Sequence, residues 1–314
     1  MFTPRKAPEL VYHNSTDWLN SSSLNLQQLR GKIILLDFWT YSCINCLRTL
    51  PRLRQIWEKY SQYGVYVIGI HTPEFKFEAD RKNVQKAIEK HQLRYPILSD
   101  PDHTNWELYG NTYWPRAALI NPEGQVILDH VGESGYDEIE KHIVQMLKLL
   151  GHKIQDPITP EKKIFHHSET SPETYAGSAR NNGLGSPRVC TKEGCDEYVD
   201  NQKHHRDIIY LQGEWLQTSE YLELKGKTGH ISYKYSGREV NVVLDGEGLV
   251  EIQKDQKALD PLEVGFDIIH KDNKSYLQLH GPDMYTLIRA DSFHEGTITL
   301  ISQGKYKIYA FTFG

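Results

Sequence analysis

The chain has 314 residues but only four cysteines and three methionines. Cysteine this sparse excludes the disulfide scaffold that holds many small secreted domains together. The 36 Lys and Arg residues are outweighed by 41 Asp and Glu residues, and no basic run occurs, so a nucleic-acid partner is not expected. No apolar run approaches the roughly 18 residues of a membrane helix. What remains is a globular composition with enough apolar residues for two cores.

The first residues, MFTPRKAPELVYHNSTDW, also lack the apolar core of a signal peptide. A cytoplasmic location is therefore expected. An extracytoplasmic location is the alternative, and it applies if the N-terminus has been trimmed.

The first 151 residues alternate between strands and amphipathic helices. Short continuous apolar runs predict buried strands, and apolar residues three or four apart predict helices. The predicted order is a strand over 33–38, a helix over 47–60, a strand over 65–70, a helix over 78–92, a hairpin of 117–120 and 126–131, and a helix over 136–150. This order predicts an α/β domain over residues 1–151.

The remainder of the chain has a different pattern. Residues 152–205 are rich in Ser, Gly, Asn and Pro, as in SETSPETYAGSARNNGLGSPRVC, which predicts a linker with irregular loops. Beyond it, short alternating segments are separated by turn residues such as Asp245-Gly246. We therefore predict an all-β sandwich of jelly-roll type over 206–314. Most of its aromatic residues are expected in the core, and a glycan or a protein is the ligand considered for its surface.

Two of the four cysteines lie three positions apart in LLDFWTYSCINCLRTLP, directly after a predicted buried strand. Cys43 would occupy the N-terminus of a helix, where unpaired N–H groups and the helix dipole stabilise a thiolate. Cys46, one turn further on, lies within disulfide distance and would be more enclosed. The spacing predicts a reversible two-electron carrier that needs no bound cofactor.

Further residues around the pair fit the same chemistry. Asp37, six residues before Cys43, is placed to accept the proton that Cys46 loses when it attacks. A cis peptide bond at Trp114-Pro115 would present backbone groups to an extended substrate. Trp39, Tyr41 and Trp114 are predicted to form an apolar surface for a peptide around the cysteines, with ordinary packing as the alternative.

Together, the Asp37-Phe38-Trp39 triplet, Cys43, Cys46, Pro51 and Pro115 ahead of an Asn-Pro-Glu-Gly hairpin resemble thioredoxin-fold oxidoreductases of the TlpA/ResA type. A narrower resemblance, which covers nearly the whole chain, is to the soluble portion of DipZ-like proteins with a carbohydrate-binding-module-like sandwich.

The resemblance implies thiol–disulfide exchange with protein thiols and disulfides through a redox-active Cys43–Cys46 disulfide. It also implies an upstream thiol reductant, with a membrane electron carrier as one form. Glu74, in HTPEF, matches an acidic residue near the active site in the ResA-like branch, where it would tune the cysteine pKa values.

Two other functions remain open from the sequence. One is a thiol peroxidase, because Thr40 and Cys43 match the Thr-x-x-Cys part of a peroxiredoxin site and Arg116 could activate the thiol. Leu36 stands where that site has proline, which weakens the match. The other is a glycan- or partner-binding module that uses the α/β domain only as a scaffold.

Cys190 and Cys195 form a separate pair, with His204 and His205 nearby. A zinc site is one interpretation, but the spacing matches no standard zinc knuckle. A local disulfide and a pair of free thiols are the other two interpretations.

Overall fold

The computed structural model describes residues 3–155, 158, 160, 168–189, 196–302 and 304–314. Its contacts divide the chain into two compact units, Met1–Ile164 and Phe165–Gly314. The boundaries predicted at 151 and 205 stay a prediction. Within the predicted linker, residues 152–205, the strands Thr174–Tyr175 and Glu197–Tyr198 pair with strands of the second unit. In the described ranges, no helix is long and apolar enough to cross a membrane.

The N-terminal unit confirms the predicted α/β alternation. The prediction missed β1, β4 and α3, which are short. The strands are β1 (Arg5–Lys6), β2 (Ile33–Trp39), β3 (Val65–His71), β4 (Ile97–Ser99), β5 (Arg116–Ile120) and β6 (Gln125–Val131). The helices are α1 (Ile44–Tyr60), α2 (Arg81–Lys90), α3 (Thr104–Leu108) and α4 (Tyr136–Leu149).

These strands form one mixed sheet in the order β1-β6-β5-β2-β3-β4. Every residue of the central strand β2 is buried, as expected for a strand covered on both faces. Because side chains alternate along a strand, Leu35 and Trp39 join the core that contains α1 and α4, while Leu36 and Phe38 join the core on the opposite face. Asp37 lies between Leu35 and Trp39 in this alternation, so its carboxyl group belongs to the α1 face.

Helix α1 is tied to α4 by a buried carboxylate. Glu140 accepts hydrogen bonds from Lys59 Nζ at 3.1 Å and from the Tyr60 hydroxyl at 2.6 Å, and it also pairs with Arg52. Pro51 lies inside α1, as predicted. These contacts fix the position of the helix whose first turn carries the cysteines.

The C-terminal unit is all-β, which confirms the predicted class, and its strands enclose one apolar core as a β-sandwich. The strands are β7 (Thr174–Tyr175), β8 (Glu197–Tyr198), β9 (Ile209–Gln217), β10 (Leu222–Leu224), β11 (Gly229–Lys254), β12 (Ile268–Lys271), β13 (Lys274–His280), β14 (Asp283–Ser302) and β15 (Tyr306–Phe313).

The turn predicted at Asp245-Gly246 is wrong, because β11 continues through both residues. Asp245 and Gly246 pair with Lys307 and Tyr306 of β15. A Cβ atom at Gly246 would lie 3.0 Å from Cβ of Tyr306, so the glycine permits a close strand approach rather than a turn. The two ends of β11 then flank the same part of β14, and the sheet folds over its core.

Candidate active site

Cys43 and Cys46 occupy the first turn of α1, as the sequence predicts. Cys43 is the N-cap residue, and its Sγ accepts a hydrogen bond from the Cys46 backbone N–H at 3.4 Å. The sulfur therefore lies at the helix N-terminus, within reach of a backbone N–H group. Cys43 is partly exposed, whereas Cys46 is 0% exposed. The pair therefore has one thiol that a substrate can reach and one that is enclosed.

Asp37 lies on the sheet face against which α1 packs, and its side chain is fully buried. Burial raises the pKa of Asp37 to about 8, and the Tyr136 hydroxyl offsets this in part. Burial also raises the pKa of Cys46, and the neighbouring Cys43 and the charge of Asp37 raise it further. Asp37 and Cys46 are therefore two buried acidic groups that influence each other's ionisation. The role of Asp37 as proton acceptor stays a prediction.

Two tyrosines complete this buried cluster, and sequence reasoning missed both. Tyr95 and Tyr136 are fully enclosed, and burial raises the pKa of each well above its usual value. The charge of Asp37 adds to the rise in both cases. Their hydroxyl groups therefore stay protonated.

A second buried carboxyl group lies next to the segment that leads into Cys43. Glu78 is 0% exposed, and it accepts hydrogen bonds from the Thr40 and Ser42 hydroxyls at 2.6 Å each. In the sequence, Glu78 is the first residue of a predicted helix, and Glu74 is the residue predicted to tune the cysteine pKa values. Glu74 is half-buried, and its backbone N–H donates to Glu78 at 2.6 Å. The tuning role predicted for Glu74 stays a prediction.

The predicted peptide surface is wrong for two of its three aromatic residues. Trp39 and Tyr41 are 0% and 2% exposed, so they pack in the core and offer no surface to a substrate. Tyr41 stacks on His71 with ring centroids 5.6 Å apart. For these two rings the alternative, ordinary packing, is the one observed.

Trp114 and Pro115 directly precede β5. The Trp114-Pro115 peptide bond is cis, which confirms that part of the prediction. Trp114 is partly exposed and stacks on Trp106 at 4.0 Å between ring centroids. The backbone N–H of Gly132 donates to the carbonyl oxygen of Pro115 at 2.9 Å. A role of this segment in binding substrate stays a prediction.

Comparison with known proteins covers both units. Residues 5–128 match the AhpC/TSA family, and residues 171–314 match the family described as a thioredoxin-like C-terminal domain. The DipZ protein of Mycobacterium tuberculosis is 29% identical over 317 residues, which cover 98% of this chain and 43% of that protein. The thiol-disulfide oxidoreductase YkuV of Bacillus subtilis is 28% identical over 140 residues, which cover 45% of this chain and 93% of YkuV.

The N-terminal unit has a thioredoxin-like fold, and its residues 5–128 are similar to the AhpC/TSA family. A solved thioredoxin-like protein in the oxidised form is 27% identical, with a TM-score of 0.42, and the match covers 46% of this chain and 97% of that one. The chain spans less than half the length of the DipZ proteins that it matches.

Within the thioredoxin-like domain, the residues considered for a peroxidase are engaged elsewhere. Arg116 lies on the face of β5 shared with Ala118 and Ile120, which is the face opposite α1. Its Nε donates to Asp129 at 2.6 Å. The Thr40 hydroxyl donates to Glu78 rather than towards Cys43. Neither side chain is therefore available to polarise a peroxide at Cys43.

The C-terminal domain carries no comparable site in the described residues. No group of three or more His, Cys, Asp or Glu residues is arranged there, or elsewhere in the described ranges, to hold a metal ion. Cys190 and Cys195 lie outside the described residues. The aromatic residues considered for sugar stacking are mostly buried, as predicted: Trp215, Tyr233, Tyr235, Tyr285 and Tyr309 are in the core, and Tyr221 and Phe293 are partly exposed.

Proposed function

We propose that the chain is a thiol–disulfide oxidoreductase that acts as a reductase of protein disulfides through Cys43 and Cys46. The observation that carries the proposal is the asymmetry of the pair. Cys43 is reachable at the N-cap of α1, whereas Cys46 is enclosed and lies on the same sheet face as Asp37. The relationship to YkuV supports the same class of activity.

The reaction follows from that asymmetry. The Cys43 thiolate attacks one sulfur of a substrate disulfide, forms a mixed disulfide, and displaces the other substrate sulfur as a thiolate. The Cys46 thiol gives its proton to the Asp37 carboxylate and attacks Sγ of Cys43, which releases the second substrate thiolate. Two electrons pass to the substrate, and the Cys43–Cys46 disulfide remains. A pKa of about 8 suits Asp37 to this exchange near neutral pH.

We propose protein disulfides as the substrates and a thiol reductant upstream, which restores the two cysteines after each turnover. A membrane electron carrier is the form of reductant that the resemblance to DipZ-like proteins implies. The partly exposed Trp114, whose backbone precedes the cis bond to Pro115, would hold an extended segment of the substrate. The C-terminal domain would contribute partner binding, with a protein favoured over a glycan because most of its aromatic rings are buried.

A redox titration tests the proposal. The full chain is equilibrated in glutathione and dithiothreitol buffers, alkylated, and digested, so that the Cys43–Cys46 and Cys190/Cys195 peptides are followed separately by mass. A reversible Cys43–Cys46 couple near or below about −250 mV is expected, close to thioredoxin. A value near about −120 mV would make the protein an oxidant instead. Failure to form the disulfide in any buffer would refute the proposed activity.

A further inference from the structure

Glu78 takes no part in the proposed exchange, although its carboxylate bridges two segments beside the cysteines. Oε1 accepts from the Thr40 hydroxyl at 2.6 Å, from the Ser42 hydroxyl at 2.6 Å and from the Ser42 backbone N–H at 3.2 Å. Oε2 accepts from the backbone N–H groups of Glu74 at 2.6 Å and Phe75 at 2.9 Å. Ser42 directly precedes Cys43, so this carboxylate organises the chain that enters α1.

The contacts of Glu78 match an ionised carboxylate, which can only accept hydrogen bonds. A protonated acid must instead use one oxygen as a donor. The hydroxyls of Thr40 and Ser42 can rotate to accept that bond, but the three backbone N–H groups cannot reverse. Protonation of Glu78 therefore weakens the network that fixes residues 40–42.

Both protonation states of Glu78 are accessible near neutral pH. The pKa of Glu78 is raised to about 7: burial is the largest cause, the charge of Glu74 adds to it, and the hydrogen bonds from Ser42, Thr40 and Phe75 oppose it. His71 faces the same cluster, with Nε2 at 3.4 Å from the Thr40 hydroxyl. Burial lowers the pKa of His71 to about 3, so this imidazole stays neutral and Glu78 is the group that titrates.

We propose that Glu78 is a positioning residue for Cys43: its carboxylate holds residues 40–42 so that the Cys43 thiol sits at the N-cap of α1, and its protonation loosens that segment. The inference rests on the proposed function of the Cys43–Cys46 pair. The reactivity of Cys43 then depends on pH through the Glu78 carboxyl group, which takes no part in the proposed exchange.

The test is the rate of Cys43 alkylation by iodoacetamide between about pH 5.5 and about pH 9, read by mass spectrometry on the peptide that contains Cys43. For the unsubstituted chain, the plot of alkylation rate against pH is expected to show an inflection near pH 7, separate from the one that the thiol itself causes. Glu78→Gln is expected to lose that inflection. At about pH 8 its rate should fall roughly tenfold, the lower end of the effect of losing a hydrogen bond to a charged group.

Glu74→Gln is the matched control, because it makes the same chemical change four residues away and keeps the backbone N–H that bonds to Glu78. The inflection is expected to persist in this variant. Because removal of the Glu74 charge takes away one cause of the raised pKa, the inflection should move to lower pH.

Thr40→Val keeps the proposal testable if Glu78→Gln fails to fold. It removes one hydrogen bond that lowers the pKa of Glu78, so the inflection should move to higher pH. A purely structural role would change the rate by one factor at all pH values and would leave the inflection in place. That outcome, in either variant, would overturn the proposal.

The assay contains no disulfide substrate, so it separates this inference from the proposed activity. If the chain reduces no protein disulfide but the inflection depends on Glu78, the positioning role stands and the proposed reductase function fails. If the chain is an active reductase and the pH profile of Glu78→Gln matches that of the unchanged chain, only the positioning role fails.

Discussion

Each unit of the chain buries a carboxyl group whose pKa is shifted, and the two shifts have opposite directions. In the thioredoxin-like domain, burial raises the pKa of Asp37 to about 8. In the C-terminal domain, burial raises the pKa of Asp200 too, but the N–H of Gln202 and the imidazoles of His230 and His204 outweigh it and hold the pKa below the usual value. His204 and His230 lie 2.8 and 3.0 Å from the Asp200 carboxylate.

In the proposed reaction Asp37 exchanges a proton, whereas Asp200 is held ionised by its hydrogen-bond partners. A buried acid without a cationic partner costs stability when it ionises. The chain carries this cost at Asp37, which accepts the Cys46 proton in the proposed reaction. Glu140, in the same domain, has Arg52 and Lys59 as partners, so burial alone does not explain the state of Asp37. Perturbed groups of this kind concentrate at reactive sites.

The largest expected effect comes from Cys43→Ser, which tests whether the chemistry is confined to the first unit. Loss of the attacking thiolate should lower the rate of protein disulfide reduction by about 10³-fold or more. The control is the double change Cys190→Ser and Cys195→Ser, which should keep the rate. The rate is measured as the release of thiols from a disulfide-bonded protein. An equal loss in the control would break the comparison between the units.

Asp37→Asn should lower that rate by about 10²-fold at neutral pH, because Cys46 then lacks its proton acceptor. The same change should stabilise the fold at alkaline pH. Since the pKa of Asp37 rises on folding from 3.8 to about 8, its ionisation removes stability as the pH rises across that window. Urea unfolding at about pH 6 and about pH 9 measures this. If Asp37→Asn does not raise the unfolding free energy at about pH 9, the raised pKa of Asp37 is contradicted.

Asp200→Asn sharpens the comparison, because its effect on stability should have the opposite sign. The lowered pKa of Asp200 gives stability that is present above the unfolded pKa and lost as the pH falls through the folded pKa. Because the substitution removes the carboxylate charge that faces the two imidazoles, it should lower the unfolding free energy by about 1–3 kcal/mol near neutral pH. Urea unfolding measures the loss, and the reduction rate should be unchanged. A stabilising effect at neutral pH would contradict the role of His204 and His230.

The sequence was sufficient for the parts of the site that depend on local spacing. The distance between Cys43 and Cys46 along a helix, and the position of Asp37 on the preceding strand, follow from regular geometry. The cis bond at Trp114-Pro115 was considered because this pair directly precedes a predicted strand. These features need no knowledge of how distant segments pack.

The parts that depend on tertiary packing were missed or wrong. Glu78 reaches Thr40 and Ser42 across 38 and 36 residues, so no local pattern distinguishes it from Glu74. Trp39 looks the same in sequence whether its ring lies in the core or at the surface. Gly246 looks like a turn glycine, although it serves a contact with Tyr306 of a strand 60 residues further along.

The complete enclosure of Cys46 also has a consequence for oxidative damage. A peroxide in solution reaches Cys43 first and converts it to a sulfenic acid, which can condense with the Cys46 thiol and release water. The result is the ordinary disulfide, which thiols can reduce, rather than an irreversible sulfinic acid. We therefore expect sulfinic acid to accumulate at Cys43 only in Cys46→Ser, as a mass increase on that peptide. The resolving cysteine would then also protect the site from overoxidation.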